Sequence, residues 1–319
     1  MYVGLCRLAV ERNDLAAAAE YLRRGEDLGE QAGLPQNAYR WRVASALLRE
    51  AQGDVETALG LLTEAERVYT GDFSPNVQPL PALRARMLAA HGRWEPAAQW
   101  ARRHGITPPD KLSYLREYEH LTLARVLLAQ HAADGSSALL RDVVGLLERL
   151  LAAADAGGRH GTVIEALALS AVAHRESGHE ARAITLLRRA LAMAEPEGYV
   201  RVFAAGGPPM TALLKATRRQ DPGSVYLRRL LDASTDPHRR PDVATAPGRA
   251  ARGGLVDPLS PRESDVMRLL CSELDGPSIA RELVVSLNTV RTHTKNIYAK
   301  LGVTNRRDAV RRARQLNLL

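Results

Sequence analysis

The sequence predicts an all-α protein: a superhelix of stacked helical pairs followed by a small domain of four short helices. Three observations carry that expectation. Aromatic residues are few while Ala, Leu and Arg are abundant, which suits helices. Over residues 1–195 a turn residue followed five positions later by a small or apolar residue recurs about every 40 residues. The last sixty residues, from Pro258 to Leu319, carry helix-capping signals at four points. At 319 residues the chain has room for two or more domains. The expected division is 1–233 for the repeats, 234–257 for a linker and 258–319 for the terminal domain.

The repeat plan reads Asn13-Asp-Leu-Ala-Ala-Ala18, Gly53-Asp-Val-Glu-Thr-Ala58, Gly92-Arg-Trp-Glu-Pro-Ala97 and Gly178-His-Glu-Ala-Arg-Ala183. Gly135-Ser-Ser-Ala-Leu-Leu140 fills the gap with Leu in place of Ala. In each unit the turn residue ends a first helix, and the small side chain five positions on lets a second helix lie close to it. Leu59, Leu62 and Ala65 continue the second helix of one unit; Ile184, Leu187, Ala190 and Leu191 do so in the last. A single pair cannot bury its apolar face, so the pairs must stack. From Ser234 to Asp257 proline, glycine and small residues dominate and no apolar period survives, which is the composition of a tether.

In the terminal domain Ser260 can cap a first helix, with Pro261 in its first turn and Glu263 completing a capping box. Asp275 can cap a second, Ser286 a third that Gly302 ends, and Asn305 a fourth with Asp308 near its start. The third helix, about 287–301, carries the information. At 100° per residue Val290, Thr294, Ile297 and Leu301 form one stripe, expected to pack on Val266, Leu269, Leu270, Ile279 and Leu283. The opposite face holds Asn288, Arg291, Thr292, Lys295 and Ala299, and a flank holds Thr289, His293, Asn296 and Lys300. A buried side, a side of long donors and a polar flank are what a helix in the DNA major groove needs. The short step from Leu283 to Ser286 is the turn of a helix-turn-helix. Charge agrees: from Arg281 onward nine Arg or Lys stand against Glu282 and Asp308, so this tail holds +7 of the chain's +8.

Leu-Ser-Pro-Arg-Glu at 259–263, Asn-Thr-Val-Arg-Thr-His at 288–293, Lys-Asn-Ile-Tyr-Ala-Lys-Leu-Gly-Val at 295–303 and Ala-Val-Arg-Arg-Ala at 309–313 resemble the C-terminal DNA-binding domain of LuxR-type bacterial transcription regulators. The resemblance implies that Arg291, Thr292 and Lys295 contact bases, and that Ser260, Thr289, His293, Asn296 and Lys300 contact the DNA backbone. It further implies pairing of two copies on promoter DNA through the fourth helix and an encounter with the transcription machinery. One departure stands out: Asp275-Gly-Pro-Ser278 replaces the polar, basic start usual for the second helix. That departure favours a second reading, a repeat scaffold with a degenerate DNA-binding domain. The repeats resemble a tetratricopeptide array with a longer period. Residues 195–214, Glu-Pro-Glu-Gly-Tyr-Val-Arg-Val-Phe onward, are similar to the segment closing the helical region of large ATP-binding LuxR-type regulators of the maltose-activator type. That resemblance implies that the superhelix binds an inducer or a protein partner, and that the chain is the C-terminal portion, or a natural short form, of such a regulator.

Other chemistry finds little footing in the sequence. No Gly-x-x-x-x-Gly-Lys-Ser/Thr occurs, and the prolines of Gly206-Gly-Pro-Pro209 remove the backbone donors a phosphate cradle uses. No catalytic set, cofactor motif or metal-ligand spacing is expected. His174 and His179 are five apart, wrong for one helix face, and Glu64 and Glu66 point apart. Trp94 and Trp100 read as packing or groove residues. Cys6 and Cys271 read as small buried apolar residues in a reducing cytoplasm. No signal peptide or membrane-spanning run is expected.

Overall fold

The structure, a computed structural model, describes residues 1–27, 35–71, 75–235 and 261–315, except 273, 284–286, 302 and 304. The described residues contain helices, turns and no strand. Two compact units divide the chain, Met1–Asp242 and Val243–Leu319.

The first unit contains five helical pairs. They are α1 (Tyr2–Glu11) with α2 (Leu15–Asp27), α3 (Asn37–Ala51) with α4 (Val55–Arg67), α5 (Leu80–Ala90) with α6 (Trp94–Arg103), α7 (Glu117–Asp134) with α8 (Ser137–Ala156), and α9 (His160–Glu176) with α10 (Glu180–Ala194). The recurring turn residues sit between the two members of each pair, and all five have positive φ: 57° at Asn13, 84° at Gly53, 75° at Gly92, 71° at Gly135 and 80° at Gly178.

The Gly53 turn shows why. The Gly53 N–H donates to Glu50 O at 2.9 Å, and the Asp54 N–H donates back to Arg49 O at 2.9 Å, satisfying two carbonyls that the end of α3 leaves open. Asp54 then caps α4, accepting from the Thr57 N–H at 3.3 Å. One residue closes one helix and opens the next, so the pair is antiparallel and tight. Ala18, Ala58, Ala97 and Ala183, the positions five beyond each turn, are fully buried, and Leu140 is buried in the fourth unit.

The two helices of a pair play different parts. The second helices are amphipathic: α4 buries Ala58, Leu59, Leu62 and Ala65 and turns its charges outward. From α3 onward the first helices are covered on more than one side. In α9, every residue from Val163 to His174 is buried, including Glu165, Ser170 and His174. The first helices also line a cavity of about 560 Å³, to which no residue of α2, α4, α6, α8 or α10 contributes.

After the pairs come α11 (Arg201–Ala204), α12 (Gly207–Gln220) and α13 (Val225–Thr235). They close a second apolar cluster around Phe203, Met210, Leu213 and Leu214. They also return to the start of the unit. The Val200 N–H donates to Glu11 O at 3.0 Å, the Val202 N–H to Glu11 Oε1 at 3.0 Å, and Arg229 Nη2 to Arg12 O at 2.6 Å. The stretch 195–214 therefore docks on α1. Because α13 runs to Thr235, Ser234 and Thr235 of the expected linker are helical; its remaining residues, 236–257, lie outside the described residues.

The second unit contains the four expected helices: α14 (Pro261–Leu270), α15 (Gly276–Glu282), α16 (Leu287–Leu301) and α17 (Arg306–Gln315). Asp275 Oδ1 accepts from the Ser278 N–H at 2.9 Å, and Asn305 Oδ1 from the Asp308 N–H at 2.9 Å, so both expected caps are in place. Ser260, Ser286 and Gly302, the other expected start and stop residues, lie outside the described residues.

Candidate nucleic-acid interface

The site is built on α16, and its orientation is fixed by what the helix buries. Val290, Ile297 and Leu301 are buried together with Val266, Met267 and Leu270 of α14 and Ile279 and Ala280 of α15. Leu269 and Leu283 complete the seat, half-buried. Thr294, expected on the same stripe, is half-buried and satisfies its hydroxyl by donating to Val290 O at 2.8 Å. Ala309 and Ala313 of α17 bring the fourth helix onto this core. Met267 and the half-buried ring of Tyr298 are core members that the sequence reading left out.

With the stripe fixed, helical register alone sets the rest of α16. Positions 288, 291, 292, 295 and 299 fall opposite the buried stripe. Arg291, Thr292, Lys295 and Thr289 are placed by the helix backbone only; their side chains lie outside the described residues, as does Ser260 altogether. On the flank Asn296 is exposed, while His293 and Lys300 are half-buried.

Asp275 has a clear local role. Its carboxylate is held below the ordinary carboxylate range by hydrogen bonds from the Ser278 side chain and backbone. An ionised cap at a helix start is favourable, so Asp275 serves the helix it begins.

A residue the sequence reading did not single out ties the unit together. Arg306 opens α17 and reaches back to the end of α14. Its Nε donates to Leu270 O at 2.9 Å, Nη1 to Leu274 O at 2.7 Å and Nη2 to Ser272 O at 2.7 Å. One carbonyl at the C-terminus of α14 and two in the turn after it attract a cation, and a planar guanidinium can meet all three. The remaining arginines of α17 face out: Arg307, Arg311, Arg312 and Arg314 are exposed.

The residues weighed for other chemistry are accounted for as follows. His174 and His179 face each other across the turn between α9 and α10, ring centroids 5.9 Å apart. Sequence spacing on one helix could not show this, because His174 lies in the last turn of α9 and His179 precedes α10. Among the described residues no group of three His, Cys, Asp or Glu is arranged to hold a metal ion. Trp100 is buried in the core and Trp94 packs against it. Cys6 is buried, and burial pushes its thiol up to about 11; Cys271 is half-buried, its thiol also raised by burial. Among the described residues no helix is long and apolar enough to cross a membrane.

Comparison with known proteins places both units. Residues 257–313 match the family of bacterial regulatory proteins, luxR family, so the class defined by α14–α17 is the LuxR-type helix-turn-helix domain. Residues 1–220, more than half the chain, match the MalT-like TPR region, and the chain belongs to that family. It is similar to the HTH-type transcriptional regulator MalT of Klebsiella pneumoniae subsp. pneumoniae, 30% identical over 154 residues that cover 44% of this chain and 17% of that protein. The chain thus corresponds to a small part of the length of that relative.

Proposed function

We propose that the chain is a sequence-specific DNA-binding transcription regulator, with α16 as the recognition helix in the major groove of promoter DNA. In this reading Arg291, Thr292 and Lys295 read base edges, and Ser260, Thr289, His293, Asn296 and Lys300 meet the sugar–phosphate backbone. The observation that carries it is the burial of Val290, Ile297 and Leu301, which directs positions 291, 292 and 295 away from the core. The LuxR-type match over 257–313 and the +7 of the C-terminal tail support it. By their composition residues 236–257 join a sensory unit to a DNA reader, in the bacterial cytoplasm.

Two copies pair on DNA, since a single helix of this kind discriminates only a few base pairs. The exposed arginines of α17 repel a second copy in free solution, and phosphates offset that repulsion on DNA. The repeat unit receives an inducer or a protein partner, and the transcription machinery is met at the promoter.

A salt series tests the reading. Binding of the purified chain to a promoter fragment is followed by fluorescence anisotropy from low to high salt. A falling affinity with a slope of several released counterions, together with tighter binding to one fragment than to random duplex, is expected. Absence of binding at low salt would contradict it.

A further inference from the structure

The open cavity of the repeat unit is lined by five arginines and four glutamates, a dense set of charges. Most of that charge is internally matched. Glu165 accepts from both Arg86 and Arg125, the latter at 2.8 Å. Glu117 accepts from Arg159 at 2.7 Å and from the Thr162 hydroxyl at 2.7 Å. Glu50 stands 3.4 Å from His91.

The surplus is cationic. Arg201 is half-buried, and among the described residues no carboxylate pairs with it directly; Glu50 and Glu11 act on it only at longer range. Arg7 is exposed and donates to Gln78, a neutral acceptor. Arg86 keeps a buried Nη1 with no acceptor. Glu11, the remaining carboxyl, is pushed up by burial, and its Oε1 already accepts from the Val202 N–H at 3.0 Å. Tyr118 and Tyr199 add hydroxyls to the same wall.

Position matters as much as charge. Arg7 and Glu11 come from α1, and Arg201 and Tyr199 from the returning segment. The cavity therefore straddles the seam where the end of the unit docks on its beginning, made by the Val200–Glu11 and Val202–Glu11 bonds. A ligand held here touches both sides of that seam.

Resting on the reading of the repeats as a ligand chamber, we propose that this cavity binds a small metabolite through an oxyanion, a carboxylate or a phosphate group, seated between Arg201 and Arg7 and bridging the seam between α1 and α11. Two cations without carboxylate partners, facing one space of about 560 Å³, fit an anion-bearing ligand of ordinary metabolite size. An uncharged ligand would leave the half-buried Arg201 uncompensated. Filling the site strengthens the docking of the last helices on the first, which is how occupancy would be felt along the array.

The test uses the full chain and its own fluorescence. Its three tryptophans, Trp41, Trp94 and Trp100, all lie in the repeat unit, so their melting curve reports that unit and not the arginine-rich C-terminal one. Melting is recorded with inorganic phosphate, with malonate and with trehalose, each balanced with NaCl to one ionic strength. Phosphate or malonate should raise the melting temperature in a saturable way, and trehalose should not. Phosphate acting alone points to a phosphate ester as the natural ligand, and malonate acting alone to a carboxylate. Arg201→Gln and, separately, Arg7→Gln should each weaken the effective anion by about tenfold while the far-ultraviolet dichroism is unchanged. No protection by either anion, equal protection by trehalose, or protection unaffected by both substitutions would overturn the proposal. DNA binding measured on the same samples separates the two readings: anion protection without DNA binding sinks the regulator, and DNA binding without anion protection sinks only this site.

Discussion

The two units use charge in opposite directions. In the repeat unit the first helices α5, α7 and α9 carry charges that point inward and are mostly matched: Glu165 lies between Arg86 and Arg125, and Glu117 against Arg159. In the C-terminal unit each short helix buries one stripe, and Arg307, Arg311, Arg312 and Arg314 of α17 are on the outside. Inward charge that is already paired holds a scaffold together. Outward charge of one sign is available to a polyanion. The same residue type, arginine, thus reports a different role according to whether the helix that carries it is covered on one side or on several.

The sharpest way to break this contrast is to remove the carboxylate at the centre of the inner network. Glu165→Gln leaves two enclosed arginines uncompensated and should destabilise the repeat unit by about 3–5 kcal/mol in denaturant unfolding followed by tryptophan fluorescence. The pH dependence has a definite sign. Burial alone would raise the Glu165 carboxyl, but Arg86 and Arg125 together outweigh it and hold it at about 2, against an ordinary 4.5. A depressed carboxyl contributes stability above 4.5 that is lost as the pH falls towards 2. Glu11 has the opposite sign: burial raises it, so its contribution is present below 4.5 and lost as the pH rises through its folded-state value. Glu165→Gln should therefore flatten the acid limb, whereas Glu11→Gln, which keeps an acceptor for Val202, should raise stability at neutral pH. A Glu165→Gln protein as stable as the parent would show that the inner charges hold nothing together.

In the C-terminal unit the counterpart is Arg306. Arg306→Ala removes three bonds to the end of α14 and the turn after it, and should cost about 2–3 kcal/mol. Arg306→Lys should recover little, because one ammonium cannot meet three carbonyls. Loss of the same size for Arg307→Ala, whose side chain is exposed, would blur the contrast between clamp and surface. A smaller effect is expected at a repeat turn. Gly53 holds φ at 84°, so Gly53→Ala should cost about 1–2 kcal/mol and leave the C-terminal unit untouched.

How much of this could be read from the chain differs between the units for a physical reason. The four C-terminal helices were legible, with the caps of α15 and α17, because short one-sided helices carry their caps and their apolar stripe in adjacent letters: Asp275, Asn305, and Val290 with Ile297 and Leu301. The repeat turns were legible because a left-handed residue strongly favours Gly or Asn, and the spacing exposed them. The first helices of each pair show no clean period, because residues such as Val163 to His174 are buried on every side. Their charge network was missed for the same reason. Arg86, Arg125 and Glu165 do lie 39 and 40 positions apart, the period of the repeat, and that spacing is the signal that could have found them. The seam between Glu11 and Val202, separated by 191 positions, and the reach of Arg306 to Leu270, separated by 36, have no local signature at all.

The central claim is that α16 reads DNA with the positions set opposite its buried stripe, and base selection tests it most directly. The purified chain is used to enrich duplexes from a random pool, and the selected motif is compared with those of Arg291→Ala and Lys300→Ala. The parent should enrich a defined motif. Arg291→Ala should lose preference at a base pair within it, at a cost of about 1–3 kcal/mol on the selected site, while Lys300→Ala should weaken all sequences alike and keep the motif. An Arg291→Ala protein that selects the same motif with the same affinity would contradict the account.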